Sequence, residues 1–281
     1  MLRKSCLCLA FLVFALAATN LQHRVRSMCR LAAWLGSRVP IEDIIVKPPH
    51  SLIEQSQHAT EAKLAVNGDG FGFAWYDEFG QLGIYRDVLP AWTDGNLLSL
   101  ASMIRSTVFV AHVRASTYGQ VSRSNCHPFR SGRWCFAHNG QIADFGACRR
   151  RLEASLSDQR YAERTGNTDS ELLFLLLLDN GLERDAHQAC SAVLELVKRA
   201  ACESQKPTRI AVVFSDGECL YALRCSSDSH SPSLYSCQRA NGDLIIASEP
   251  LDNKGGRWTA IKESTLTVAR QSAVASYPVC L

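Results

Sequence analysis

Four short segments place polar, chemically versatile side chains at the ends of apolar runs: Met28-Cys29-Arg30, His112-Val113-Arg114, Ala137-His138-Asn139-Gly140 and Thr168-Asp169. The ends of regular elements are where a rigid scaffold can hold reacting groups in a fixed geometry. A cysteine directly after a methionine is chemically the most suggestive of the four. An initiator methionine is readily removed ahead of a small residue, and Cys29 then carries both a thiol and a free α-amine. That amine, with a reference pKa of about 8, takes the thiol proton directly or through one water, so one residue is nucleophile and base together. Each position also has a plain structural reading. Cys29 fits a buried strand, Arg114 a surface strand, Asp169 the first turn of a helix and Asn139-Gly140 an ordinary turn.

Metal and redox chemistry find less support. His112, His127 and His138 are not closely spaced on one helix, and no CxxC pair occurs among the 12 cysteines. A zinc site or a dithiol motif is therefore not expected, and no cofactor is implied.

The elements that must position these residues follow from the apolar patterning. The run at 29–35 has β character, and 51–63 reads as a polar helix or loop. Asn67-Gly68-Asp69-Gly70 is a tight turn by composition. Two apolar strands, 71–76 and 82–85, flank an acidic connector ending in Gly80 and read as a hairpin. Residues 96–104 can form a short helix, and the β-branched run 107–113 looks like a central strand. Another strand spans 133–138 and closes at Asn139-Gly140. Thr168, with Glu171 three residues on, has the form of a capping box opening a leucine-rich helix. A second helix covers 186–201, and strands follow at 209–214, 219–223, 243–248 and 265–269. Strands, then a helical middle, then strands lack the alternation that a parallel open sheet needs. The expected class is α+β, with antiparallel sheets and helices packed outside them, in one domain from about Cys29 onward.

Several motifs occur in a fixed order: MCRLAAWLG at 28–36, PPHS at 48–51, NGDGFG at 67–72, AHVRAST at 111–117, NCHPF at 125–129, HNG at 138–140 and TDSE at 168–171. The ordered set resembles the class II glutamine amidotransferase domain of the Ntn-hydrolase superfamily. MCRLAAWLG, PPHS and the late segment SEPL at 248–251 are more similar to its stand-alone branch, which includes the γ-glutamyl hydrolase of ergothioneine biosynthesis. Each motif alone is weak, and HNG especially so; the order carries the resemblance, which extends from Met28 to about Ile261. It implies a four-layer αββα sandwich spanning 29–270, with 271–281 as a C-terminal tail.

Roles then carry over position by position. Cys29 matches the N-terminal nucleophile, and Arg114 matches the arginine that clamps the substrate α-carboxylate, a task suited to its bidentate fork. Asp169 matches the carboxylate that accepts the α-ammonium. Asn139 and the backbone amide of Gly140 match the oxyanion hole. His127 is expected near the pocket and His138 as support for the oxyanion turn. The implied reaction is thioester-mediated cleavage of a γ-glutamyl amide with release of glutamate. Alternatives are a glutaminase subunit feeding ammonia to a separate synthetase and a non-catalytic interaction protein on the same fold.

Composition bounds the remaining possibilities. The 281 residues are 47% hydrophobic and 20% charged, enough for a sizeable core and unlike a disordered chain. A formal charge of +3 without an aromatic-interleaved basic patch gives no reason to expect nucleic acid as a partner. Arg3 and Lys4 precede an apolar run at 6–18 that has the order of a secretory signal, with Ala15-Leu16-Ala17 as a cleavage site, but is too short to span a bilayer comfortably. A cut after Ala17 leaves residues 18–28 blocking the Cys29 amine. Translation from Met28 is the simpler expectation, with 1–27 as a misassigned leader. The mature protein is then cytoplasmic and has no membrane contact, its thiols mostly buried and free; secretion or a periplasmic location is the lesser reading.

Overall fold

The computed structural model describes residues 29–61, 66–116, 120–253, 257–271 and 273–281. The leader, Met28, Lys63 and Thr117 lie outside the described residues. In chain order the elements are β1 (Arg30–Pro40), α1 (Glu42–Ile45), α2 (Leu52–Gln57), β2 (Phe71–Tyr76), β3 (Leu82–Asp87), α3 (Gly95–Met103), β4 (Arg105–Val113), β5 (Phe129–Ser131) and β6 (Trp134–Gln141). They continue with α4 (Phe145–Glu153), α5 (Asp158–Ala162), α6 (Asp169–Asp179), α7 (Ala186–Ala200), β7 (Arg209–Ser215), β8 (Cys219–Ser226) and β9 (Tyr235–Gln238). β10 (Leu244–Ala247), β11 (Thr259–Ala260), β12 (Thr265–Arg270) and β13 (Ala273–Pro278) complete the chain.

Two antiparallel sheets result, a seven-stranded one ordered β11-β9-β10-β1-β4-β2-β3 and a six-stranded one ordered β13-β12-β8-β7-β6-β5. Side-chain alternation sorts each strand between two layers. On β1, Leu31, Ala33 and Leu35 enter the layer between the sheets, where they meet Val110, Ala137, Val213 and Ala222. Ala32 and Trp34 point the other way, into a cluster with Ile41, Ile44, Leu52 and Leu97 of the helical side. A strand buried on both faces needs no polar alternation, which is why RLAAWL reads as a continuous run. The third cluster lies between the six-stranded sheet and α4, α6 and α7. There α6 is buried along its length from Asp169 to Leu178, and Phe174 stacks on Phe136 at 5.2 Å. Each large apolar side chain so buried contributes about 1.5–3 kcal/mol. The architecture is the α+β, two-sheet sandwich flanked by helices that the patterning implies.

Three local expectations need correction. Asn139-Gly140 is not a turn: both residues remain in β6, opposite Ala211 and Ile210 of β7. The strand persists because Gly140 takes φ +145, a conformation open to glycine. Second, the capping box at Thr168 is half formed. Thr168 Oγ1 accepts from Glu171 N at 3.1 Å, but the Glu171 carboxylate accepts from Thr165 N at 2.8 Å and Gly166 N at 2.7 Å. The preceding loop offers it more amide donors than the cap does. Third, the segment read as a tail contains β13, which pairs with β12 along the edge of the six-stranded sheet.

Candidate active site

Cys29 immediately precedes β1, whose first residue, Arg30, stands opposite Val113 of β4. One step further along that antiparallel pair sets Cys29 beside Arg114. The thiol is half-buried and donates to the Ala115 carbonyl at 3.4 Å. Burial pushes its pKa up to about 11, against the lowering pull of that hydrogen bond and of the Arg114 and Arg30 charges, while the Asp169 charge raises it further. Arg114 and Asp169, far apart in sequence, therefore both act on this sulfur. A thiol of this pKa is protonated at neutrality, so attack requires a base beside it.

Arg114 is almost fully buried where β4 ends. Its Nη2 donates to Ser116 Oγ at 3.0 Å. The NGDG turn clasps the same stretch. Asp69 N donates to Arg114 O at 3.0 Å, Arg114 N to Gly70 O at 2.8 Å, and Asp69 Oδ2 accepts from Ser116 N at 2.7 Å. A turn and a strand end thus fix the guanidinium base from two sides.

The six-stranded sheet supplies the opposite wall. Asn139 is fully buried in β6. A Cβ on Gly140 would fall 2.0 Å from the Arg209 carbonyl oxygen, so only glycine fits. Asp169 opens α6 and accepts from Ile142 N through Oδ2 at 2.9 Å. Ser170 Oγ donates to Asp169 Oδ1 at 3.3 Å and lies 2.9 Å from His138 Nδ1. His138 thereby couples β6 to the start of α6. A cleft of about 400 Å³ opens beside Asp169, lined also by Gln141, Ile142, Phe145 and Lys206.

Between the walls sit two buried imidazoles. His112 approaches the His138 carbonyl with Nε2 at 3.2 Å and lies tilted against His127 at a centroid distance of 4.1 Å. Burial pushes His112 down to about 3 and His127 well below its ordinary value, and the Arg114 charge lowers both. Both rings are neutral at pH 7 and pack β4 against the loop that leads into β5. Among the described residues no group of three or more His, Cys, Asp or Glu side chains is placed to hold a metal ion. The cysteines from Cys29 to Cys280 are free thiols.

All the residues singled out in the sequence thus gather at one end of the sandwich: Cys29 and Arg114 from one sheet, Asn139 and Gly140 from the other, Asp169 from α6 and His127 against His112. The structure adds Arg30, His50, Ser170 and Glu249, which sequence reasoning did not single out. All four lay inside quoted motifs, but a pairing between residues so far apart has no local signature.

An antiparallel two-sheet sandwich with a cysteine at the head of a central strand defines a class, and comparison with known proteins agrees with it. Residues 52–241 match the family model described as glutamine amidotransferases class-II. The chain is 30% identical to "Probable glutamine amidotransferase DUG3" of Saccharomyces cerevisiae, across 90% of this chain and 84% of that one. It is also 30% identical to the gamma-glutamyl-hercynylcysteine sulfoxide hydrolase of Mycolicibacterium smegmatis, across 90% of this chain and 100% of that one. Among solved structures, a glutamine aminotransferase class-II domain protein from Silicibacter pomeroyi superimposes with a TM-score of 0.72 at 34% identity, covering 90% of this chain and all of the other. The chain belongs to the class-II glutamine amidotransferases, and its activity is hydrolysis of that type, with an N-terminal nucleophile. No helix among the described residues is long and apolar enough to cross a membrane.

Proposed function

We propose that this protein is a free-standing γ-glutamyl hydrolase in which Cys29, exposed as the first residue, cleaves the side-chain amide of a γ-glutamyl conjugate. The observation that carries the reading is the position of Cys29 at the head of β1, next to the end of β4 that bears Arg114, with its thiol on the Ala115 carbonyl and the Asp169 charge reaching it from α6. A cation and an anion flanking one nucleophile match the two charges of an α-amino acid end. Arg114 takes the α-carboxylate, Asp169 the α-ammonium, and only a carbonyl at the γ position then reaches the sulfur.

The thiol proton passes to the α-amine as sulfur attacks the γ-carbonyl carbon. Oxyanion charge is met by the Asn139 side-chain amide and the Gly140 N–H, a donor of this kind lowering the barrier by about 3–4 kcal/mol. Collapse breaks the C–N bond, and the ammonium returns its proton to the leaving amine. Water then adds to the γ-glutamyl thioester, releasing glutamate and restoring the thiol. In this reading His127 backs the substrate site, its ring held at a tilt against His112. The catalytic unit runs from Cys29 through β13, which completes the six-stranded sheet, with translation from Met28 freeing the Cys29 amine and the protein working in the cytoplasm.

Kinship with the mycobacterial hydrolase supports a bulky leaving group, whereas the yeast relative's name favours a second reading, a glutaminase subunit that passes ammonia to a synthetase. Glutamate release by protein beginning at Cys29, from glutamine and from γ-glutamyl-hercynylcysteine sulfoxide side by side, separates them. Efficient cleavage of the larger substrate, with glutamine poor, supports the hydrolase. Weak release from both, rising when a synthetase partner is added, supports the subunit. A non-catalytic interaction protein would turn over neither and form no adduct with a glutamine-like electrophile.

A further inference from the structure

Arg30 beside the nucleophile, His50 of PPHS and Glu249 of SEPL take no part in the chemistry above, yet they meet in one network around the buried Glu249 carboxylate. Arg30 Nε lies 2.8 Å from Glu249 Oε1, with the two side chains 0% and 1% exposed. The same guanidinium donates through Nη1 to the Cys29 carbonyl oxygen at 2.9 Å. His50 Nε2 sits 2.7 Å from Glu249 Oε2, which also accepts from Thr60 Oγ1 at 2.5 Å and Thr60 N at 3.1 Å. Glu61 N donates to Oε1 at 2.8 Å. Next door, Ser248 brackets the following residue of β1: Ser248 N donates to Leu31 O, and Leu31 N to Ser248 Oγ, both at 3.0 Å.

A buried ion pair is weak evidence of stabilisation, because an apolar pair of similar volume often does as well or better. A geometric role fits better. A residue at the start of a chain is tethered on one side only and frays unless tied down. The bond from Arg30 to the Cys29 carbonyl fixes the peptide plane from which the Cys29 thiol and amine hang. We propose that Arg30 and Glu249, steadied by His50, are positioning residues that aim the Cys29 nucleophile at the substrate carbonyl without touching substrate themselves. This rests on the reading of Cys29 as the nucleophile.

The test uses protein beginning at Cys29 and the glutamine-like electrophile 6-diazo-5-oxo-norleucine. The rate of adduct formation, kcat, KM and the thermal midpoint are measured for wild type and for the double variant Arg30→Met/Glu249→Met. The double variant exchanges the ion pair for apolar side chains of similar length, so no uncompensated charge is left buried while the grip on the carbonyl is lost. Expected are a midpoint at or above that of wild type, a KM within about twofold, and labelling and kcat both lower by about 100-fold, the penalty of a misplaced reacting group. His50→Gln gives a smaller fall in the same direction. Should the double variant not fold, Glu249→Gln is judged by the same criteria. Wild-type labelling and kcat in a folded variant overturn the positioning role, as does a loss that only follows KM or the folded fraction. Wild type that neither labels nor turns over refutes the nucleophile reading instead.

Discussion

Cys29 and Arg114 come to the candidate site from the seven-stranded sheet, whereas Asn139, Gly140 and Asp169 come to it from the six-stranded sheet and the helix beside it. The first wall is held by charge: a buried Arg30–Glu249 pair ties the head of β1 to the end of β10. The second is held by backbone geometry and hydrogen bonds rather than by an ion pair: Gly140 at positive φ, the Ile142 amide on Asp169, and Ser170 between Asp169 and His138. A mobile chain end needs strong, directional partners to define it, while a strand inside a sheet is already defined by its neighbours. The two walls should therefore fail differently when perturbed.

The largest effect should come from breaking the charged wall on one side only. Glu249→Ala leaves a buried, uncompensated Arg30, and chemical denaturation should show a loss of about 3–5 kcal/mol; a loss under 1 kcal/mol would put the two walls on equal terms. On the opposite wall, Asn139→Ala should lower kcat by roughly 100- to 1000-fold while the unfolding midpoint hardly moves. That contrast, stability lost on one side and rate on the other, is the sharpest form of the comparison.

Gly140→Ala should act on both quantities. Its Cβ would meet the Arg209 carbonyl at 2.0 Å and its φ of +145 would be strained, so a destabilisation of about 1–3 kcal/mol is expected together with loss of turnover. Unfolding curves and glutamate release measured on the same preparation check both parts.

Acid should act on the imidazoles between the walls before it acts on the charged one. In the unfolded chain His112 and His127 take protons around their ordinary value of 6.5, but the folded sites refuse them, His112 down to about 3. The stability tied to these rings is complete above about pH 6.5 and declines as pH falls toward 3. Glu249, held at about 2 against its ordinary 4.5, adds its own loss only below pH 4.5, and its part is lost as pH falls through about 2. Thermal midpoints across pH 3–8 should fall on the acid side, and His112→Gln should flatten the decline between pH 6.5 and 4.5. The smallest effect belongs to Thr168→Ala, which removes the N-cap of α6 and should shift stability by about 1 kcal/mol.

Strands with dense apolar or β-branched runs were legible before any coordinates: β4, β7 and the pair β2 and β3 stand where the patterning puts them. α4 was not, since its FGACRRRLE carries three consecutive arginines and buries only Phe145, Cys148 and Leu152. β13 was missed for the same reason, every residue of it being exposed. Asn139-Gly140 read as a turn because that dipeptide so often forms one, and sheet pairing overrode the local preference. Cys29, Arg114, Asn139, Gly140 and Asp169 were named from ordered motifs, and the fold gathers them at one end. Arg30 and Glu249 escaped because an ion pair between the two ends of a domain leaves no trace in local spacing.

The proposed chemistry stands or falls on a thioester between Cys29 and the γ-glutamyl group. It is tested most directly by mixing protein that begins at Cys29 with γ-glutamyl substrate, quenching in acid within the first turnover, and mapping the modified peptide by mass. One γ-glutamyl group is expected on the Cys29 sulfur, absent from Cys29→Ala, which retains its fold and releases no glutamate. A glutamyl group on another residue, or undiminished turnover by Cys29→Ala, would contradict it.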